Sequence, residues 1–228
     1  MPQVKDIVCK GDQRKYYRFR ATRFYSGCST ADCCGCNIRC AYCYSAKPRD
    51  NPEKYGKFYS PEEVANKLIS IARNKGYNQI RISGNEPTLC KEHLLQVISK
   101  IPKDILFVLE TNGIELGQDE DFVKQLSKFK NLYVRVSVKG SNPQHFAKIT
   151  AAKPELFKYQ LRALEFLVKH RIECRAAIMY DVFTDAQIKE IKQKLAKISL
   201  SLAEIELESL ILYPFVKAAI QKRKIWYR

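Results

Sequence analysis

Residues Cys33 to Ser45 read CCGCNIRCAYCYS. Five cysteines fall within eleven residues, and Cys36, Cys40 and Cys43 stand at C-x3-C-x2-C spacing. Cysteines at that density in a cytosolic chain bind metal or do redox chemistry. A structural zinc ion takes four ligands, and Cys28, Cys33 or Cys34 would have to supply the fourth. A [4Fe–4S] cluster also takes four thiolates as a rule, one per iron. With three, one iron keeps an open position for a small molecule, an arrangement suited to catalysis rather than bracing.

The elements that must carry this loop can be read from periodicity. "SPEEVANKLISIARNKG" opens with Ser60 as N-cap, Pro61 at the first helical position and Glu63 completing a capping box. Val64, Leu68 and Ile71 share one face of that helix. Further helices are expected near 91–100 and 119–128, over Pro154 to His170 with Leu161, Leu164, Phe166 and Leu167 on its apolar face, and over Thr184 to Ile198. Strands are expected at Phe19–Tyr25, Asn78–Ser83, Ile105–Glu110, Leu132–Val138, Ile172–Tyr180 and Ile205–Tyr213. Six strands alternating with helices are the pattern of parallel βα units. The fold class is therefore α/β: an open (β/α)6 partial barrel, or a flatter doubly wound sheet, with chemistry on loops at the carboxyl ends of the strands. No linker or repeat argues for a second domain, so residues 1–228 read as one domain with a core of about 19–213 and two basic extensions.

Composition narrows the class. The chain has 228 residues, 46% hydrophobic, with nine cysteines. An odd and clustered cysteine count argues against a secreted disulfide scaffold. Cys9, Cys90 and Cys174 stand alone and read as buried, inert thiols. No apolar run approaches a membrane span of about 20 residues, and the start carries no secretory signal, so a cytoplasmic protein is expected. The net charge is +16, concentrated in Lys10–Arg23 and Lys217–Arg228, where basic and aromatic residues mix. Such stretches line single-stranded nucleic-acid grooves, or are simply solvated.

CNIRCAYC resembles the C-x3-C-x-Φ-C signature of the radical S-adenosylmethionine (SAM) enzymes, with Tyr42 at the aromatic position. Three stretches follow in the family's order: SGNEPTL (Ser83–Leu89), similar to its G-G-E-P segment, then ETNG (Glu110–Gly113) and VSVKG (Val136–Gly140). Asn85 replaces the second glycine of G-G-E-P. The resemblance spans about 24–213 and is closest to short activase-like members such as pyruvate formate-lyase activating enzyme.

The resemblance implies a [4Fe–4S] cluster on Cys36, Cys40 and Cys43, with SAM on the open iron and cleaved to a 5′-deoxyadenosyl radical that abstracts hydrogen from a substrate. It implies SAM contacts from Gly84, Asn85, Glu86 and Pro87, with Glu86 accepting from the SAM ammonium. It further implies ribose contacts from Thr111 and Asn112, although Asn-Gly is also a turn signal. Polar contacts from Ser137 and Lys139 follow if that face is interior, and adenine contacts from Tyr42, Ile178 and Met179. His93, His145 and His170 show no paired ligand spacing. A flavodoxin- or ferredoxin-like electron donor is implied as partner.

The substrate is not named by these motifs. A small molecule or cofactor precursor, acidic in character, is expected first. A glycyl-radical enzyme, RNA acting through the basic ends, and a zinc-stabilised nucleic-acid module without turnover are the alternatives.

Overall fold

The computed structural model describes residues 3–228. Among them are nine strands: β1 Cys9–Lys10, β2 Gln13–Thr22, β3 Cys28–Cys33, β4 Lys57–Tyr59, β5 Gln79–Gly84, β6 Leu106–Thr111, β7 Leu132–Ser137, β8 Glu173–Met179 and β9 Glu206–Glu208. Their order is β1-β2-β3-β5-β6-β7-β8-β9, with β4 beside β2. β3 pairs parallel to β5, β5 to β6 and β8 to β9. β1, β3 and β4 pair antiparallel to β2. From β3 onward the chain gives the six-strand α/β succession expected, with an antiparallel margin added at one end.

Helix boundaries follow the capping chemistry. Pro61–Lys75 begins on Ser60, whose hydroxyl accepts from the Glu63 amide while the Glu63 carboxylate accepts from the Ser60 amide, and it ends on left-handed Gly76. Such a cap contributes about 1 kcal/mol. Asp185–Ile198 is opened in the same way by Thr184 and Gln187. The buried stripe of Phe157–Lys169 is Phe157, Gln160, Ala163, Leu164 and Leu167.

Three expectations about the elements need correction. The opening parallel strand is not Phe19–Tyr25 but Cys28–Cys33. The chain runs out along β2, turns through Phe24–Ser26 and returns antiparallel. The turn needs positive φ at Tyr25, Ser26 and Gly27, which no strand tolerates; a Cβ on Gly27 would also lie 2.5 Å from the Tyr77 ring. The last strand shortens from Ile205–Tyr213 to Glu206–Glu208, since beyond it Ile211, Leu212 and Tyr213 are exposed. Helices at Ala46–Asp50, Pro143–Thr150 and Pro214–Lys222 were not anticipated.

The chain divides into two compact units: residues up to Asn37 with Lys47–Thr111 and Asp121–Val134, and Ile38–Ala46 with Asn112–Glu120 and Arg135–Arg228. In the first, Ile80, Ile82, Phe107 and Leu109 of β5 and β6 are fully buried beside Val64 and Leu68. In the second, Val136, Ala176 and Ile178 lie buried with Leu164, Leu167 and Ile191.

Candidate active site

In the first unit the site grows from the carboxyl ends of β3 and β5. Cys33 pairs with Gly84 at the last rung between these strands. The Asn85 amide donates to the Cys33 carbonyl at 3.2 Å, and the Glu86 amide to the Gly35 carbonyl at 3.0 Å. Gly84 has φ +95°, and a Cβ there would lie 2.8 Å from the Cys33 amide nitrogen. The turn thus needs glycine at 84, whereas position 85 admits asparagine.

Glu86 is 1% exposed. Its Oε1 accepts from the Thr88 amide at 3.2 Å, the Thr88 hydroxyl at 2.7 Å and the Thr111 hydroxyl at 2.7 Å. Pro87 begins the short turn that Glu86 caps. The neighbouring Glu110 is held by Arg81 at 3.1 Å and by the Tyr25 hydroxyl at 2.8 Å. Successive strand residues point to opposite faces, so Glu110 and Thr111 serve different surroundings.

In the second unit Gln160 organises two of the expected contact segments. Fully buried, it donates from Nε2 to the Asn112 carbonyl at 2.8 Å and to the Ser137 carbonyl at 3.3 Å, and its Oε1 accepts from the Lys139 amide at 3.1 Å. Asn112 Oδ1 accepts from the Ile114 amide at 3.0 Å. That side chain therefore shapes the Asn-Gly turn, the structural alternative noted above. The Lys139 ammonium lies 5.2 Å from the centroid of the Tyr42 ring. Burial works against the Lys139 charge, but Tyr42, Cys40 and Glu208 outweigh it and hold the ammonium above its ordinary range. Ile178 is buried and Met179 half-buried at the end of β8, paired with Leu207 and Glu208 of β9.

Cys36, Cys40 and Cys43 lie outside any disulfide, Cys40 buried and the other two half-buried. Cys36 belongs to the first unit, Cys40 and Cys43 to the second, where the Cys43 amide donates to the Cys40 carbonyl at 3.2 Å. Each candidate for a fourth thiolate has a hydrogen-bond partner of its own, as Cys36 has in Asn37 Oδ1 at 3.8 Å. Cys33 donates to the Ser83 carbonyl at 3.1 Å and Cys34 to the Tyr55 carbonyl at 3.5 Å, while Cys28 meets the Thr22 and Thr30 hydroxyls. Burial pushes the Cys33 thiol up, and burial followed by the neighbouring Cys33 pushes Cys34 up to about 12. Three sulfur donors at C-x3-C-x2-C spacing are the ligand chemistry of an iron–sulfur cluster with one open iron, so the residue types present fit that group. Among the described residues no three His, Cys, Asp or Glu side chains form a set ready for a single metal ion.

One further reading is corrected. Cys9 and Cys90 are not lone thiols but are joined by a disulfide; their sequence separation of 81 leaves no local signal for the pairing. Within the basic stretch Lys10–Arg23, four of the six basic side chains have internal partners, while Lys10 and Arg23 are exposed. Arg14 is 1% and Lys15 7% exposed, with Lys15 donating to the Pro52 and Glu53 carbonyls at 2.7 and 3.1 Å. Arg18 and Arg20 both pair with buried Asp32, at 2.7 and 2.9 Å.

Gln160 and Arg14 are the site residues that sequence reasoning missed. Gln160 sits at helical spacing with Phe157, Leu164 and Leu167, so a polar residue on an apolar stripe was its available signal. Arg14 had none, being one of many basic residues in its stretch.

Known proteins resemble this chain in sequence and in fold. The family model of the Radical SAM superfamily matches residues 32–195. A probable GTP 3′,8-cyclase of Methanococcus vannielii is 34% identical over 134 residues, which are 58% of this chain and 42% of the relative. A putative glycyl-radical enzyme activating enzyme of Methanocaldococcus jannaschii is 28% identical over 167 residues, 72% of this chain and 59% of the relative. The chain thus spans about half the length of these relatives. Streptococcus suis SuiB bound to S-adenosylmethionine shares the fold with a TM-score of 0.63 at 14% identity, covering 84% of this chain and 46% of SuiB.

Proposed function

This chain belongs to the radical SAM superfamily, and from that membership we propose that it cleaves S-adenosylmethionine reductively to a 5′-deoxyadenosyl radical that takes hydrogen from a small, anionic substrate. Cys36, Cys40 and Cys43 would hold three irons of a [4Fe–4S] cluster, which when bound and reduced would supply the electron for cleavage of the sulfonium bond. The protein's own residues bind, orient and exclude water.

Buried Glu86 accepts from the SAM ammonium, and Thr88 and Thr111 fix its carboxylate before SAM arrives. A charge-assisted bond of this kind is roughly twice as strong as a neutral one. Gly84, Asn85 and Pro87 bring that carboxylate beside the start of the cysteine loop. Asn112, whose Oδ1 accepts from the Ile114 amide, contributes a ribose contact, and Ser137 a polar SAM contact, from segments that Gln160 holds still. Lys139 pairs with the SAM carboxylate or with an acidic group of the substrate. Tyr42, Ile178 and Met179 pack around adenine.

The observation that carries this reading is the buried Glu86 carboxylate, oriented by two threonines at the strand end from which the cysteine loop departs. The net charge of +16 favours an anionic substrate, as does the resemblance to relatives named GTP cyclases. A flavodoxin or ferredoxin is the electron donor of this reading, and the cytoplasm its compartment. No helix among the described residues is long and apolar enough to cross a membrane. RNA is not favoured, because Arg14, Lys15, Arg18 and Arg20, four of the six basic side chains in Lys10–Arg23, have internal partners.

The test is anaerobic reconstitution with iron and sulfide, followed by dithionite and SAM. Release of 5′-deoxyadenosine, measured by mass spectrometry, is expected from the wild type and not from Cys40→Ala. A reconstituted, iron-loaded protein that releases none would overturn the proposal.

A further inference from the structure

Arg14 is a buried cation whose hydrogen bonds go to carbonyls and sulfur. Nη2 donates to the Cys34 carbonyl at 2.9 Å and to the Glu86 carbonyl at 2.7 Å, so one nitrogen ties the cysteine loop to the Glu86 loop. Nη1 donates to Cys90 Sγ at 3.1 Å, with Cys9 Sγ at 3.8 Å. The Cys9–Cys90 bond joins the N-terminal segment to a residue four beyond Glu86. It also holds the helix Val4–Val8 in place. Val4 and Val8 pack so closely on Gly35 that a Cβ there would lie 2.8 Å from either side chain. The Gly35 carbonyl is the acceptor of the Glu86 amide.

We propose that Cys9–Cys90 is a site of reversible thiol–disulfide exchange with small dithiols and disulfides, and that Arg14 transmits its state to the Glu86 loop. Cys9 is the half-buried sulfur, whereas Cys90 is 4% exposed. A dithiol in its thiolate form attacks Cys9 Sγ, and the electron pair of the broken S–S bond leaves on Cys90 Sγ. The second thiolate of the reagent then attacks the mixed disulfide, releasing the Cys9 thiolate and a cyclic disulfide. Two electrons pass from the dithiol to the protein, and Cys9 takes a proton from solvent. The Cys90 thiolate forms against the Arg14 guanidinium, and a stabilised leaving thiolate speeds exchange.

The two states differ at Arg14. Against a neutral disulfide, its charge is directed to the Cys34 and Glu86 carbonyls. Against a thiolate, part of that attraction is withdrawn from them. Reduction also releases the covalent tie that holds the Val4–Val8 helix over Gly35. Both changes loosen the Glu86 loop, and any consequence for SAM affinity rests on the reaction proposed above.

The experiment uses the full-length, cluster-loaded protein, equilibrated anaerobically at graded ratios of reduced to oxidised dithiothreitol. After acid quench and alkylation, peptide mass spectrometry is expected to find Cys9 and Cys90 cross-linked at the oxidising end and both alkylated at the reducing end. Hydrogen exchange at the Glu86 amide is expected to rise at least about threefold on reduction in the wild type, and not to respond in Cys9→Ser. Reduction of Arg14→Gln is expected to be roughly tenfold slower; should that variant fail to fold, the hydrogen-exchange comparison of wild type with Cys9→Ser decides. Alkylation of both cysteines at every ratio, or equal Glu86 exchange in the two states, overturns the proposal. Neither readout involves SAM, so the result stands apart from that of the cleavage assay.

Discussion

The Thr111 hydroxyl donates to the Glu86 carboxylate across 2.7 Å, joining the loop after β5 to the last residue of β6. Both residues are buried, at 3% and 1% exposure. The carboxylate is therefore oriented from two strands at once. Glu86→Gln keeps an oxygen for the threonine donors but removes the charge. The fold is expected to survive, while SAM affinity of the reconstituted protein falls about ten- to a hundredfold, the worth of a charge-assisted bond of roughly 1.5–3 kcal/mol. Thr111→Val is expected to lose less, up to about tenfold. Calorimetric titration with SAM measures both, and unchanged affinity in Glu86→Gln would remove that residue from the site.

Replacing any one of Cys36, Cys40 and Cys43 with Ala is expected to abolish most iron binding and all SAM cleavage, because each thiolate would serve one iron. Cys33→Ala and Cys34→Ala are expected to keep the iron. Their thiols donate to carbonyls, so they should lose stability instead, on the order of 1 kcal/mol each. Iron and sulfide content per chain decides this: iron loss in Cys33→Ala equal to that in Cys36→Ala would sink the ligand assignment.

Gln160→Leu leaves the Asn112 and Ser137 carbonyls and the Lys139 amide without their buried partner. Each unsatisfied group costs about 1–3 kcal/mol. A loss on the order of 3 kcal/mol is expected in urea unfolding, with faster hydrogen exchange at the Lys139 amide. Gln160→Glu retains the acceptor for that amide and is expected to protect it better than leucine does.

His93 gives the stability a pH dependence of predictable sign. Its Nδ1 faces the Asp12 carbonyl at 2.7 Å and its Nε2 the Tyr16 hydroxyl at 3.0 Å, an arrangement that suits the neutral ring. Burial lowers its pKa from 6.5 to about 4. Between these values the unfolded chain binds a proton that the native protein does not. Stability from this group is thus full above about pH 6.5 and lost as the pH falls toward 4, by on the order of 3 kcal/mol. Thermal unfolding across pH 4–7 should show this slope, and His93→Gln should flatten it.

RNA binding is expected to be weak at physiological salt. A groove that tracks single strands would show a slope of log affinity on log salt near −0.7 per phosphate. Changing Lys217 and Lys222, exposed on the C-terminal helix, to Gln should leave the weak binding unaltered. Arg18→Gln and Arg20→Gln act differently, since they uncover buried Asp32: they should lower the melting temperature rather than the salt slope. A steep slope that flattens in the lysine variants would restore RNA to consideration.

What the sequence determined by itself was whatever depends on neighbours along the chain. The capping box of Ser60 and Glu63, the stripes of the long helices and the alternation of the five strands from Gln79 to Glu208 are short-range signals, written in spacings of one to four residues. The cysteine spacing and the GNEP, ETNG and VSVKG segments are equally local, which is why the family was legible before the fold. Contacts between distant segments were decided only by the tertiary structure. Cys9 meets Cys90 across 81 residues, Thr111 meets Glu86 across 25, and Gln160 reaches Asn112 across 48. The basic N-terminal stretch shows the same limit. Its charges could be counted in the sequence, but whether Arg14, Arg18 and Arg20 face water or a buried partner depended on a strand reversal at Tyr25–Gly27, where the backbone takes positive φ. Charge is a property of the residue, and burial is a property of what the rest of the chain packs against it.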